Sequence, residues 1–239
     1  MVIMSLLLSL MDESIVNSAM GLKFVSYNCC WFNDAKRVYL SKLLECCDIL
    51  FLQEHWLSES QLDGLSDVSC THFASGISGF GCSDVLKERP YGGCAIFWRR
   101  SLKFEIRPVM ADSRRVCSLL LSCAELKLLC INAYMPFEDD ATNLDEFSRQ
   151  LAIIDDLIDR NSDCHIVLGG DFNVDFSRNW LHTDLLNDLC STRILSPIVR
   201  HPDSTIDFTY NFNMKLFSVI DHKCISVEHD VDNTHCFLS

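Results

Sequence analysis

The stretch that most constrains this chain runs from His165 to Phe176 and reads HIVLGGDFNVDF. His165–Leu168 is a short, β-branched and apolar run, which predicts a buried strand. Gly169 and Gly170 are expected to break it and turn the backbone sharply. Asp171 and Asn173 follow, with Phe172 between them. If strand alternation persists, the two polar residues share a side and Phe172 points back into the core. A carboxylate and an amide then stand together at a strand mouth, where α/β folds place their chemistry. Taken alone, the same letters also describe a polar turn after a buried strand.

Bulk properties narrow the choice. The 239 residues are 49% hydrophobic, enough for one large α/β domain with a sizeable core. No linker-like tract or internal repeat divides them, so residues 1–20 read as an extension and 21–239 as one domain. Met1–Leu10 is apolar but too short to span a bilayer, and it lacks the basic start of a secretory signal. The net charge of −13 makes a poor passive binder of nucleic acid, since that affinity comes largely from phosphate neutralisation. Fourteen cysteines occur without a CxxC pair, which argues against a zinc framework. Reduced, buried cysteines acting as small hydrophobes in an intracellular, nuclear or cytoplasmic protein are expected instead.

The chain then reads as a succession of strands with polar ends. Leu22–Asn28 alternates, with Leu22, Phe24 and Ser26 on one face and Asn28 at its end. A helix is predicted over about 34–47, its apolar side formed by Val38, Leu40, Leu43 and Leu44. The run DILFLQ at 48–53 suits a strand buried on both faces, and Glu54 follows it abruptly. Further strands are predicted near 73–80, 92–98, 102–109 and 116–124, and at Leu126–Ala133, where Tyr134 precedes the chain-breaking Pro136. Leu144, Phe147, Leu151, Ile154 and Ile158 form a helical stripe over 143–159, with Asn143 and Glu146 spaced as a capping box. Residues 180–190 read as another helix. Strands at 206–210, carrying Asp207, at 217–220 before Asp221-His222, and at about 224–227 would close the domain, leaving the last dozen residues as a tail.

Asn28, Glu54, Tyr134, Asp171 with Asn173, Asp207 and Asp221-His222 thus recur at strand ends or on strands. The set is coherent for phosphodiester hydrolysis. Hard carboxylate oxygens suit Mg²⁺, which keeps waters for a substrate phosphate. A carboxylate or imidazole can activate water, and Asn and Tyr donors can stabilise charge on phosphate oxygens. The chain contains no GxxxxGK[ST], G-x-S-x-G or HExxH motif.

The motifs SYN at 26–28, LQE at 52–54, AYMP at 133–136, GGDFN at 169–173, STIDF at 204–208 and IDH at 220–222 stand in a telling order. In that order the chain resembles the DNase I-like endonuclease/exonuclease/phosphatase family over about residues 22–227. RPYGGCAIFW at 89–98, HTDLLNDLC at 182–190 and the long IDFTYNF to FSVIDH ending are most similar to the endonuclease domain of non-LTR (LINE-type) retrotransposons.

The resemblance implies a four-layer α/β sandwich, two mixed sheets packed face to face with helices outside and the site at one sheet edge. It implies Glu54 as the principal Mg²⁺ ligand, with Mn²⁺ a possible substitute, and Asn28 beside it orienting the central acid. Asp171 resembles the residue that positions or deprotonates the attacking water, Asn173 its neighbour on the phosphate, and Tyr134 a phosphate-contacting tyrosine. His222 would touch the scissile phosphate with Asp207 fixing its tautomer, and Asp221 would serve the metal. Either Asp171 or His222 could be the base. Cys30 stands where many DNA-repair relatives have an acid, Ile220 where a Ser is frequent and Cys224 where a Pro is common. The expected activity is a Mg²⁺-dependent nick in DNA, bound weakly and salt-sensitively, with no membrane and no inferable protein partner. A phosphatase or phosphodiesterase on a lipid or small ester, and a catalytically silent retroelement remnant, are the alternatives. A chain ending at Ser239, without a reverse transcriptase, reads as a fragment or a domesticated remnant.

Overall fold

A computed structural model of the chain describes residues 2–7, 22–81, 92–124, 126–137, 141–174, 180–197, 210–212, 216–218, 221–226 and 237–238. Five strands, β1 (Val2–Leu7), β2 (Lys23–Asn28), β3 (Ile49–Gln53), β4 (His72–Ile77) and β5 (Cys94–Arg99), build most of the first sheet. The second contains β6 (Glu105–Val109), β7 (Val116–Ser122), β8 (Lys127–Tyr134), β9 (His165–Asp171), β10 (Leu195–Pro197) and, after a hairpin of β11 (Tyr210–Phe212) and β12 (Leu216–Ser218), β13 (Asp221–Ser226). A short β14 (Phe237–Leu238) pairs with β1 and returns the chain to the first sheet. The strand orders are β14-β1-β2-β3-β5-β4 and β10-β13-β9-β8-β7-β6. Each sheet has one parallel pair near its centre, β2 with β3 and β8 with β9, and is otherwise antiparallel. Pro108 and Pro197, which cannot donate to a ladder, both fall on edge strands of the second sheet.

Alternation along these strands makes three cores. Leu22, Phe24, Ile49, Phe51 and Ile96 face Leu119, Leu121, Leu128, Cys130 and Val167 between the sheets. The opposite face of the first sheet, Val25, Leu50, Leu52 and Phe97, is covered by helix α1 (Asp34–Glu45) through Leu40, Leu43 and Leu44. Asn33 caps that helix by accepting the Lys36 amide at 3.0 Å. On the outside of the second sheet, α2 (Ala141–Asp159) and α3 (Leu181–Thr192) cover Leu129, Ile131, Ile166 and Leu168 with Phe147, Leu151, Ile154, Leu186 and Leu189. The layers are helix, sheet, sheet, helix: the four-layer sandwich expected. Each fully buried Leu, Ile or Phe contributes roughly 1.5–3 kcal/mol.

Several local expectations are corrected. Val38 lies 57% exposed, because α1 buries only the stripe through Leu40, Leu43 and Leu44. Helix α2 starts at Ala141, so Asn143 is inside it and no cap. Glu146 instead accepts from Arg149 and Gln150 on the same helix. The strand from His165 is not broken at the glycines but runs through both to Asp171. Asp221 and His222 follow β12, as expected of the 217–220 run, but open β13 themselves, and the last dozen residues include β14. Within residues 1–20, Val2–Leu7 adds a strand beside β2. Among the described cysteines Cys29, Cys47, Cys94, Cys117, Cys130 and Cys190 are buried, whereas Cys30, Cys46 and Cys70 are exposed.

Candidate active site at the carboxyl ends of the central strands

The inward face of the sandwich changes character along the strands. Phe24, Phe51 and Leu128 are followed one inward position later by Ser26, Gln53 and Cys130, and on β8 by Asn132 and then Tyr134. On β9 the inward line runs Val167, Gly169, Asp171, while Ile166 and Leu168 face the helices. Because β2 with β3 and β8 with β9 run parallel, all four carboxyl ends reach the same edge. Alternation alone therefore delivers Asn28, Tyr134 and Asp171 to one place.

Glu54 arrives differently. Gln53 already points inward, so a continuing strand would send the next side chain outward. A left-handed backbone at Glu54 (φ 54°) redirects it. The amide of Glu54 bonds Gly93 O at 2.9 Å and its carbonyl accepts from Trp31 N at 2.9 Å. Trp56, also left-handed at φ 56°, bonds Gly92 O at 3.0 Å. Between them His55 is fully buried. Its Nε2 donates to Ile77 O at 3.1 Å and its Nδ1 accepts from Leu57 N at 3.0 Å, which fixes the neutral Nε2–H tautomer. Burial pushes this imidazole down to about 4. Gly93 leaves room for the ring, since a Cβ there would stand 2.3 Å from His55 Cε1.

Asn28 joins the two sheets. Its Nδ2 donates to Glu54 Oε1 at 2.8 Å and to Asp171 Oδ2 at 2.7 Å. Its Oδ1 accepts from Cys30 N at 3.0 Å, which fixes the orientation of the amide. Trp56 Nε1 donates to Glu54 Oε2 at 3.2 Å. Tyr134 also bonds Glu54; burial first, then the charges of Glu54 and Asp171, push its phenol up, so it stays a donor. Every donor these bonds bring to Glu54 is neutral. Asp171 Oδ1 accepts Asn173 N at 3.0 Å, and Asn173 Nδ2 gives one hydrogen to Met135 O at 2.9 Å. Phe172, between them, is fully buried as expected.

Asp221 pairs with Asp171 and His222 with Gly170 in the ladder between β13 and β9. An antiparallel partner begins where its neighbour ends, so the start of β13 lies at the edge that holds Asp171. Asp207 lies outside the described residues. Among the described residues no group of three or more His, Cys, Asp and Glu side chains is placed to hold a metal. Glu54 and Asp171 supply two carboxylates on one bridging amide. Trp56 and Arg115 were not singled out from the sequence. Arg115 Nη1 donates to Tyr134 O at 3.2 Å, and its guanidinium lies 5.4 Å from the tyrosine ring centre. For Trp56 the available signal was an aromatic donor two residues after a strand-end acid.

Solved structures share this fold. A 3′ phosphatase from Neisseria bound to a product DNA hairpin aligns over 86% of each chain with a TM-score of 0.62 and 18% identity. An AP endonuclease from Leishmania major gives a TM-score of 0.69 at 14% identity, covering 85% of this chain and 78% of its own. The endonuclease domain of a telomere-specific non-LTR retrotransposon gives 0.60 at 11% identity, covering 84% and 82%. No curated protein sequence matches the chain. The described helices include none long and apolar enough to cross a membrane. The sequence pattern of the Endonuclease/Exonuclease/phosphatase family matches residues 25–222, most of the chain, and the protein belongs to that DNase I-like family.

Proposed function

We propose that this protein is a Mg²⁺-dependent phosphodiester hydrolase that nicks DNA and derives from a non-LTR retrotransposon. The observation that carries the reading is the pair of bonds from Asn28 Nδ2 to Glu54 Oε1 and Asp171 Oδ2. They hold two carboxylates from opposite sheets against one amide. The motif order from SYN to IDH supports the substrate class, and the acidic balance of −13 favours weak, salt-sensitive contact with DNA.

The donor set fits a hard divalent cation. Glu54 is a carboxylate whose hydrogen-bond donors are Asn28, Trp56 and Tyr134, so its negative charge is retained for a metal. Glu54 would hold Mg²⁺ or Mn²⁺, with Asn28 beside it and Asp221 serving through the register opposite Asp171. The bound cation supplies positive charge at a phosphoryl oxygen. The rest of the chemistry falls to the chain. Asp171, oriented by Asn28 and the Asn173 amide, aligns the attacking water and can accept its proton. Tyr134, kept protonated, can turn its one hydrogen from Glu54 to a phosphate oxygen when substrate binds, and the second hydrogen of Asn173 Nδ2 donates there too. His222 would contact the scissile phosphate, with Asp207 holding its tautomer.

Supercoiled plasmid incubated with Mg²⁺ should be nicked, and EDTA should stop the reaction. Glu54→Gln should abolish nicking, since a neutral amide is a poor ligand for a hard cation. Undiminished nicking in EDTA would overturn the proposal.

A further inference from the structure

Glu54 and Trp56 are both left-handed, and neither is glycine. Such residues cost of order 1–3 kcal/mol each and persist only where their surroundings impose them. Here the surroundings are identifiable. Fully buried His55 anchors the turn between two carbonyl and amide partners, and Gly92 and Gly93 accept the amides on either side of it. The result is that Trp56, half-buried, sets its indole Nε1 3.2 Å from Glu54 Oε2. Asn28 holds the other oxygen at 2.8 Å. The carboxylate is thus fixed at both oxygens by N–H groups from the end of β2 and from the turn after β3.

We infer that Trp56 is a positioning residue for the cation: its indole N–H fixes the rotation of the Glu54 carboxylate so that the lone pair its three donors leave open stays directed at one metal position. The inference rests on the metal-dependent reading above. An indole suits this task because it donates and cannot accept or ionise, so it constrains the carboxylate without competing for the cation. A carboxylate free to rotate would have to be ordered on binding, which costs side-chain entropy. Partners of this kind typically change metal affinity by about 10–100-fold when removed.

Mn²⁺ binding to the full chain, followed by electron paramagnetic resonance of the free ion, reads this without reference to activity. Trp56→Phe keeps an aromatic ring and deletes the N–H. It should weaken Mn²⁺ binding about tenfold, leave metal-free melting unchanged and lose most of its nicking defect at saturating metal. If Trp56→Phe lowers the metal-free melting point, benzothienylalanine at position 56, which keeps the bicyclic shape without the N–H, should reproduce the tenfold loss. Wild-type Mn²⁺ affinity in the N–H-deleted protein overturns this inference alone. Absence of Mn²⁺ binding by the wild type overturns the metal-dependent reading and this inference with it.

Discussion

Gln53 Nε2 donates to Asn132 Oδ1 at 2.7 Å across the space between the two sheets, directly beneath the charged cluster. Gln53 also reaches Ser26 Oγ at 3.2 Å, while Asn132 Nδ2 bonds Leu52 O at 3.0 Å and Ala95 O at 2.9 Å on the opposing sheet. An apolar sandwich core permits sliding of one sheet on the other; a polar key of this kind does not. It holds β2 and β3, which carry Asn28 and Glu54, in place against β8 and β9, which carry Tyr134 and Asp171.

Asn132→Leu should therefore destabilise the fold by roughly 2–4 kcal/mol, because Gln53 and its neighbours lose buried partners at about 1–3 kcal/mol each. Adding Gln53→Leu should recover part of that loss, since the stranded amide disappears. Urea unfolding of both single mutants and the double mutant checks this. Additive losses would show that the two amides are energetically independent.

The bridge at Asn28 gives a sharper test of the site. Asn28→Ala removes both bonds to the carboxylates, and nicking should fall by about 10²–10⁴-fold, the range of a positioned catalytic group. Asn28→Asp keeps size and shape but places a third carboxylate between Glu54 and Asp171, so it should be the worse of the two without metal-ion rescue. Nicking rates over a Mg²⁺ series separate these outcomes. Equal activity of Asn28→Asp and wild type would contradict the bridging role.

Gly170 shows why a glycine pair sits in a strand. Its φ is 134°, and a Cβ there would lie 1.9 Å from Ala133 O on the neighbouring strand. Gly170→Ala must displace backbone of β8 or β9, and a loss of at least about 3 kcal/mol is expected from strain and clash together. Circular dichroism melts of wild type and Gly170→Ala check this, and an unchanged melting point would contradict it.

Much of this was readable in the letters. Alternation placed Phe24, Ser26 and Asn28 on one face of β2, and the apolar run before Glu54 marked a buried strand ending in an acid. What one sequence does not carry is the backbone departure from alternation. Glu54 enters the cluster through a left-handed turn, and Asn173, with φ 52°, leaves the line of β9. The glycines at 169 and 170 read as a break because glycine is the usual breaker, yet at Gly170 the need was for close approach of two strands. Trp56 was missed because only the two left-handed residues bring its indole back onto Glu54, and Arg115 because its contact with Tyr134 needs β7 paired with β8.

Two buried histidines outside the catalytic set give the protein a pH dependence of stability. His72 on β4 is buried, with Nε2 3.2 Å from Cys47 O and Nδ1 2.9 Å from Thr71 Oγ1. A carbonyl can only accept, so Nε2 carries the proton and Nδ1 accepts from the threonine. Burial lowers its affinity for a second proton, and the nearby Arg99 and Arg100 act in the same direction. An unfolded histidine ionises near about 6.5. Below that pH the unfolded chain takes up a proton that the folded chain refuses, so stability is full above about 6.5 and falls as pH drops. His55, at about 4 in the fold, adds a loss across the same window on the order of 3 kcal/mol. His72→Gln keeps a donor for Cys47 O and removes one titrating group. Its stability should lie below wild type at pH 8 and converge on it by pH 5, measured by urea denaturation at each pH. Parallel curves for the two proteins would show that His72 is not one of the groups that refuse the proton.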